Sequence, residues 1–456
     1  MTVDILAEEV MEDLGPALVA RGGPLHPRFR GVAVDSRLVE RGFLFVALPG
    51  QRHDGHHFLE EAVSRGAWGV LVSRPTYGWE GVTVFQVRDT LEGLQRLAAG
   101  RRRRHPQLTV VGITGSVGKT TCKELTAAVL ARRYSVLKSP GNLNTEVGLP
   151  LALMGLEAHH HVAVLEMGMF ARGDIALLCR LANPQVGVVT NVAPVHLERL
   201  GSMGAIAAAK GELLESLPRE GVAVVNGDCP WTRRVASRTR ARVVTFGLGP
   251  TCQVRGQDVR GEGLAGFRFR LCTPQGEIDV RCPMPGRHNV YNALAAAAVG
   301  LCLGMELPEV ATALSQARTH LRLQVLPGPH GSTIIDDSYN ASPPSVLAAL
   351  ALLAETPGRR LALLGDMLEL GDYDVEGHRL VGEEAGRVVD VLVVVGERAH
   401  LVAAAARRGG RARVMVVRDK QEAAAVLRKE LGPGDHLLVK GSRALALEEV
   451  VEALRS

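Results

Sequence analysis

The stretch Val110-Val-Gly-Ile-Thr-Gly-Ser-Val-Gly-Lys-Thr-Thr121 reads as a strand, a glycine-spaced loop and the opening of a helix. A β-branched run from Leu108 to Val111 supplies the strand, and Cys122, Leu125, Ala128 and Val129 recur at helical spacing after the loop. Such a junction binds phosphate. Glycines let the backbone turn its N–H groups inward, and the helix that follows presents unpaired amides and the positive end of its dipole. Gly115, Ser116, Val117, Gly118, Lys119, Thr120 and Thr121 are therefore the nucleotide-binding candidates. Lys119 is expected to reach the β- and γ-phosphates, and Thr120 to offer a hydroxyl to Mg2+. The glycines at 112, 115 and 118 depart from standard P-loop spacing, so a tight structural turn stays open as the alternative for the motif alone.

The 456 residues suffice for on the order of two to four domains. A net charge of +5 is slight for that length and aromatic residues make up only 4%, which argues against a nucleic-acid track or a base-stacking platform. Small anionic ligands are favoured instead. The seven cysteines form no Cys-x-x-Cys pair and no close framework, as expected of reduced thiols. Met1 to Leu14 carries Asp4, Glu8, Glu9, Glu12 and Asp13 and lacks the basic and apolar regions of a signal peptide. The longest apolar run, Ala293 to Met305, is too short to span a bilayer. A soluble cytoplasmic protein, with neither membrane nor nucleic acid as partner, is the expectation.

Composition and periodicity divide the chain into residues 1–100, 101–319 and 320–456. The first segment has short strand-like runs in Gly31–Arg37, Gly42–Gly50, Trp68–Val72 and Val82–Val87 and one predicted helix, Phe58 to Arg65, which makes a small α/β domain. It ends near Arg101-Arg-Arg-Arg-His-Pro106, read as a solvated linker rather than a nucleic-acid contact. His53, His56 and His57 lack a further ligand at recognisable spacing, so exposed histidines in a glycine turn are expected rather than a metal site, and the same holds for His159 to His161. The central segment alternates helices with the runs Val162–Leu165, Val186–Thr190, Val222–Val225 and Val243–Phe246. Continuous runs of that kind predict a mostly parallel sheet buried on both faces. The last segment repeats the pattern in Thr333–Ile335, Leu361–Leu364, Val391–Val395, Val414–Val417 and His436–Val439, a second, Rossmann-like parallel sheet.

Ligands of parallel sheets sit beyond the carboxyl ends of the strands. Glu166 directly follows Val162–Leu165, and Asn191 and His196 follow Val186–Thr190. Glu166 is placed to hold Mg2+, with capping of the next turn as the alternative. Lys210 falls with Ile206, Leu213, Leu214 and Leu217 on one apolar helical stripe. Either it snorkels to the surface, or it is buried with a partner or a changed charge. Asn289 and Asn292 lie one helical turn apart, where side-chain amides can pair with a base edge or cap the helix.

Taken together, Gly115-Ser-Val-Gly-Lys-Thr-Thr121, Gly141-Asn-Leu-Asn144, Glu166-Met-Gly, Asn191 with His196-Leu-Glu198, Ala209-Lys-Gly-Glu212, Gly286-Arg-His-Asn-x-x-Asn292 and Asp336-Asp-Ser-Tyr-Asn-Ala341 resemble the Mur ligases along essentially the whole chain. Gly365-Asp-Met, Val439-Lys-Gly-Ser-Arg443 and Asp35-Ser-Arg37 make the chain most similar to the members that add D-alanyl-D-alanine. The resemblance implies an N-terminal domain for a UDP-sugar, a central P-loop domain for ATP and a C-terminal domain that closes over both. It implies an ATP-dependent ligase of peptidoglycan synthesis, and so of cell-wall biogenesis, cell shape and division. Its substrates would be a UDP-N-acetylmuramoyl-tripeptide and D-alanyl-D-alanine, and it would act as a monomer.

By the same resemblance Lys119, Glu166, His196 and Lys210 are catalytic, and Thr120 and Glu166 hold one Mg2+. Lys210 matches a lysine that the family carbamylates; with His196 it would hold a second Mg2+. Asn289 and Asn292 would contact the adenine side, and Arg322 and Asp337 the phosphates and ribose. Asp35, Ser36 and Arg37 would face the UDP moiety, with Asn142, Asn144, Tyr339 and Asn340 around the substrates. The rivals are another amino-acid-adding ligase, a folylpolyglutamate synthetase, or a nucleotide-binding regulator without turnover. An Asp-Asn-Pro-Arg segment, expected of a diaminopimelate-adding relative, is absent from the sequence.

Overall fold

The computed structural model describes residues 3–50, 53–76, 79–195, 197–317 and 323–455. Every run beyond residue 107 that the sequence marks as a sheet strand is one, while the longest apolar run lies mostly in the helix Val290–Cys302. Among the described residues the central sheet has nine strands, and Thr109–Thr114 pairs in parallel with Val186–Val189 on one side and Val162–Glu166 on the other. Val222–Asn226, Arg242–Gly247 and Val254–Gly261 extend the parallel array beyond Val186–Val189, and Val136–Lys138 closes the opposite edge. Residues such as Val111, Ile113, Val162 and Val164 face one buried core, while Val110, Ala163 and Leu165 face another. Burial on both faces is why these strands are continuously apolar rather than alternating.

One layer against this sheet is the alanine-rich helix Val290–Cys302, packed beside the helix Lys119–Leu130. Its alanines keep the two helices close. The approach is tight enough that a Cβ on Gly118 would lie 2.7 Å from Asn292 Oδ1. Small side chains here thus set the distance between the glycine loop and the two asparagines.

The C-terminal sheet runs in the order Gln324–Pro327, Thr333–Asp336, His436–Lys440, Arg360–Gly365, Val391–Val395, Arg413–Val417. All its pairings are parallel except the first. The N-terminal domain has a five-stranded sheet, Leu18–Gly22, Thr83–Val87, Gly69–Val72, Leu44–Val46 and Val32–Ala33, again parallel except at the first pairing.

Several expectations change. The first segment holds the helices Ala7–Leu14 and Thr90–Arg103 besides Leu59–Ser64, so it is more helical than its short runs suggested. The boundary drawn between residues 100 and 101 falls inside Thr90–Arg103, and the arginine run is no solvated linker. Arg102 is only 6% exposed and donates to the carbonyls of Ala182 (3.0 Å), His105 (2.7 Å) and Leu108 (3.1 Å). Arg101 donates to Leu156 O and Arg104 pairs with Asp13, so the run fastens the first domain's helices to the central domain. Replacing Arg102 by Met strands buried carbonyls and should cost about 2–3 kcal/mol. Denaturant unfolding of Arg102→Met checks this.

His56 is not an exposed turn residue either. Its ring accepts from Ser73 N–H and so donates through Nδ1 to Asp54, 2.7 Å away. The His56 backbone N–H and then this ring contact hold the Asp54 carboxyl at about 2. His160 is likewise buried, accepting from Glu157 N–H.

An antiparallel ribbon, Phe267–Thr273 and Gly276–Cys282, was not anticipated. Its signal is a period of two, with Phe267, Phe269 and Leu271 buried between exposed Arg268 and Arg270. Beside it, Leu264 packs against the C-terminal core. A second seat lies where Arg199 pairs with Glu369 at 3.0 Å and Gly371 abuts the Glu198 backbone. Between these seats the central and C-terminal domains leave a cleft.

Candidate active site

The glycine loop is held in shape by hydrogen bonds from the neighbouring strand end. Gly115 and Gly118 have φ of 153° and 85°, and a Cβ on Gly115 would lie 1.9 Å from Thr190 Oγ1. Only glycine fits the first position. The end of the neighbouring strand braces the loop: Thr190 Oγ1 donates to Val117 O (2.8 Å), and Asn191 accepts from Val117 N–H (2.9 Å) while donating to Val117 O (3.0 Å). Ser116 exchanges hydrogen bonds with the Ala193 backbone.

Two lysines converge on one carbonyl oxygen. Lys119 Nζ donates to Gly115 O at 2.9 Å, and Lys210 Nζ, from the helix Met203–Glu215, donates to the same atom at 3.0 Å. Lys210 is 2% exposed, so it does not snorkel. Burial first, and the Lys119 charge second, push its pKa well below the ordinary lysine value.

Glu166 is fully buried at the end of its strand. Its Oε2 accepts from Thr120 Oγ1 at 2.8 Å, its Oε1 from Asn144 Nδ2 at 2.8 Å, and its backbone N–H donates to Ser139 Oγ at 3.1 Å. The carboxylate therefore faces the loop rather than capping the next turn. A carboxylate and a hydroxyl side by side at the opening of a helix are hard oxygen donors of the kind Mg2+ takes. The Lys210 ammonium, by contrast, has no lone pair to offer a metal.

The glycine loop opens onto a cavity of about 400 Å³ between the two domains. Ser116 to Thr121, Asn191, Asn289 and Asn292 line it on one side, and Asp337, Tyr339, Asn340 and Lys440 on the other. Asn292 Nδ2 donates to Asn289 Oδ1 (2.9 Å), and Asn289 Nδ2 to Pro285 O (2.8 Å), so Asn289 starts the helix without capping it through its side chain. Lys440 is buried, with Nζ 2.5 Å from Asp337 Oδ2 and 2.9 Å from Asn340 O.

Sequence reasoning had not singled out Asn226 and Tyr291, which also line the cavity. Asn226 stands at the carboxyl end of Val222–Asn226, where the strand-end rule that found Glu166 also applies. The Tyr291 hydroxyl donates to Asp228, and burial raises its pKa to about 12. Asn142 is exposed in the loop that carries Asn144. Asp35, Ser36 and Arg37 are not among the cavity-lining residues. Asp35 pairs with Arg37 at 2.7 Å and Ser36 donates to Glu61 at 2.7 Å. His196 and Arg322 lie outside the described residues.

Three family models match in order: Mur ligase family, catalytic domain, over residues 28–102; Mur ligase middle domain over 113–300; and Mur ligase, glutamate ligase domain, over 321–443. The chain belongs to the Mur ligase family. Among its relatives is the UDP-N-acetylmuramoyl-tripeptide–D-alanyl-D-alanine ligase of Synechocystis, 38% identical over 437 residues, or 94% of this chain and 92% of the relative. Among solved Mur ligases, a MurF of Acinetobacter baumannii superposes with a TM-score of 0.87 at 31% identity, covering 99% of each chain. A MurF ligase of Thermotoga maritima, solved in complex with ADP, gives 0.79 at 30% identity over 93% of this chain and 96% of that one. This Mur ligase thus has the three-domain α/β architecture expected from its sequence. Among its described residues no helix is long and apolar enough to cross a membrane.

Proposed function

We propose that this Mur ligase joins D-alanyl-D-alanine to the terminal carboxylate of a UDP-N-acetylmuramoyl-tripeptide, converting ATP to ADP and phosphate, in the synthesis of peptidoglycan precursor. The observation that carries this reading is the meeting of Lys119, Lys210, Thr120 and Glu166 around the glycine loop, whose residues Ser116 to Thr121 line an interdomain cavity with Lys210 and Glu166 buried behind them. The names of the full-length relatives supply the substrate pair.

A carboxylate does not react with an amine until it has a leaving group. In the first step a tripeptide carboxylate oxygen attacks the γ-phosphorus and the bond to the ADP oxygen breaks, giving an acyl phosphate. In the second the dipeptide amine attacks the acyl carbon, loses a proton and expels phosphate. Lys119 and the loop N–H groups would neutralise charge on the transferring phosphoryl group, where positioning and electrostatics do most of the work. Thr120 and Glu166 would hold one Mg2+, which when bound shields the β- and γ-phosphate oxygens.

Lys210 would hold a second ion only as its carbamate, with His196 as co-ligand. Its lowered pKa supports this, because the neutral amine is the form that adds CO2. Asn289 and Asn292 would orient the adenine, and Asp337 with Arg322 the ribose and phosphates. Tyr339, Asn340, Asn142 and Asn144 would border the acceptor and the dipeptide. Asp35, Ser36 and Arg37 would meet the UDP moiety, Arg37 exchanging its Asp35 partner for phosphate. The reading places the enzyme in the cytoplasm as a monomer.

The test mixes the protein with ATP, Mg2+ and D-alanyl-D-alanine, offers a panel of UDP-muramoyl peptides and follows phosphate. Release is expected only with tripeptides, and the preferred tripeptide names the third residue. Release with a UDP-muramoyl dipeptide and a free diamino acid, and none with D-alanyl-D-alanine, would assign the chain to another step.

A further inference from the structure

Lys123 is fully buried, one turn beyond Lys119 on the helix Lys119–Leu130, and is not among the residues lining the cavity. Its Nζ donates to Ser139 O at 2.7 Å and Gly141 O at 2.9 Å, with Glu124 Oε1 at 3.3 Å. Burying an ammonium costs several kcal/mol before its partners repay it. A methionine would fill the same space without that cost. What the charge adds is therefore a fixed position for the two carbonyls it grips.

Those carbonyls belong to the segment that supports Glu166. Ser139, whose carbonyl Lys123 holds, accepts the Glu166 N–H on its hydroxyl. Gly141 leads into Asn144, whose amide donates to Glu166 Oε1. The remaining support, Thr120, which donates to Oε2, shares a helix with Lys123. Through one side chain the helix bearing Thr120 is tied to the segment bearing Ser139 and Asn144, and both carboxylate oxygens of Glu166 are aimed by groups on either side of that tie. A neighbouring pair, Lys138 with Glu124 at 2.5 Å, links the same helix to the strand that ends one residue before Ser139, while the carbonyls of Ser139 and Gly141 themselves are held by Lys123.

We propose that Lys123 is a positioning residue for the metal-binding carboxylate of Glu166. The inference rests on the reading that Glu166 holds Mg2+. Mg2+ demands near-ideal octahedral geometry, so a carboxylate free to turn binds it less well. Partners that orient a metal ligand are worth about 10- to 100-fold in metal affinity.

The test compares binding of a fluorescent ADP analogue in EDTA and across a Mg2+ titration, alongside thermal unfolding. In Lys123→Met, binding in EDTA is expected within about twofold of the parent, while the Mg2+ concentration needed for half of the metal-dependent gain rises about tenfold. A purely structural lysine would lower the unfolding midpoint and leave the Mg2+ requirement unchanged, and that result overturns the proposal. So does equal loss of binding with and without Mg2+. Ser139→Ala removes only the hydroxyl that holds the Glu166 N–H, and it decides the matter if Lys123→Met does not fold. A raised Mg2+ requirement there supports the tie, and a parental one overturns it. Glu166→Gln separates the two levels: a parental Mg2+ response in that variant sinks the metal reading itself, whereas its loss beside a parental response in Lys123→Met sinks only the inference.

Discussion

Lys119→Ala is expected to release no ADP above background, a loss on the order of 10³-fold in kcat. The side chain stands at the opening of the helix after the glycine loop, with its ammonium on Gly115 O at 2.9 Å. In the proposed reaction the same ammonium would serve the phosphates, whose charge is greatest on the transferring group. Its contribution grows along the reaction, so its loss should fall on kcat more than on KM for ATP. A continuous phosphate or ADP assay over a range of ATP concentrations checks this. A variant that keeps kcat and only raises KM would reduce Lys119 to ground-state binding.

Lys210→Ala is the second large loss, and it should differ from the first in being partly repaired by a short carboxylic acid. The amine is buried against Gly115 O, and desolvation and the Lys119 charge both disfavour its protonated form. Carbamylation would turn that amine into an anionic oxygen donor, the N–C bond forming as the nitrogen loses its proton. A small carboxylate diffusing into the truncated site carries the same oxygens. Full activity in Lys210→Ala would sink the carbamate.

Lys210→Met adds a contrast, since it should be inactive yet unfold at a higher temperature than the parent by removing a poorly solvated amine. The pH dependence has a definite sign. The folded-state pKa is depressed, so the unfolded chain binds more protons between the depressed value and the ordinary lysine value. Stability from this site rises with pH across that window and is lost as pH falls through the depressed value. In Lys210→Met that component of the pH dependence should vanish, which parallel melts at several pH values would read.

Much of this site was open to inspection along the chain because its parts obey local rules. A glycine-spaced turn between a β-branched run and an amphipathic stretch marks a candidate phosphate loop on local grounds alone. A carboxylate directly after a buried strand, as at Glu166, points at the ligand rim. A lysine within an apolar stripe, as at Lys210, declares an unusual environment even before its neighbours are known. Where local rules misled, a long-range contact had overruled them. Four consecutive arginines suggest solvent, yet Arg102 lies buried because carbonyls from residues 105, 108 and 182 meet at its guanidinium. His56, three residues from His53, is buried by Ser73 and Asp54 rather than left in a turn.

From its residues alone this chain was legible as three α/β units, with a nucleotide loop in the second and a short set of charged and amide side chains at strand and helix ends. Hydrophobic periodicity states which face of each element is buried, and that information is local. It does not state which buried faces meet. Only the tertiary arrangement places Thr109–Thr114 between Val162–Glu166 and Val186–Val189. That strand order brings Lys210 onto the carbonyl of Gly115, 95 residues away in the chain, and Thr120 onto Glu166. Lys123 gave no signal at all in the sequence, since a lysine on an amphipathic helix is ordinarily a surface residue. Its burial follows from the crossover connections that carry residues 139–144 over the same helix, and crossovers are set by the packing of whole layers rather than by the spacing of residues.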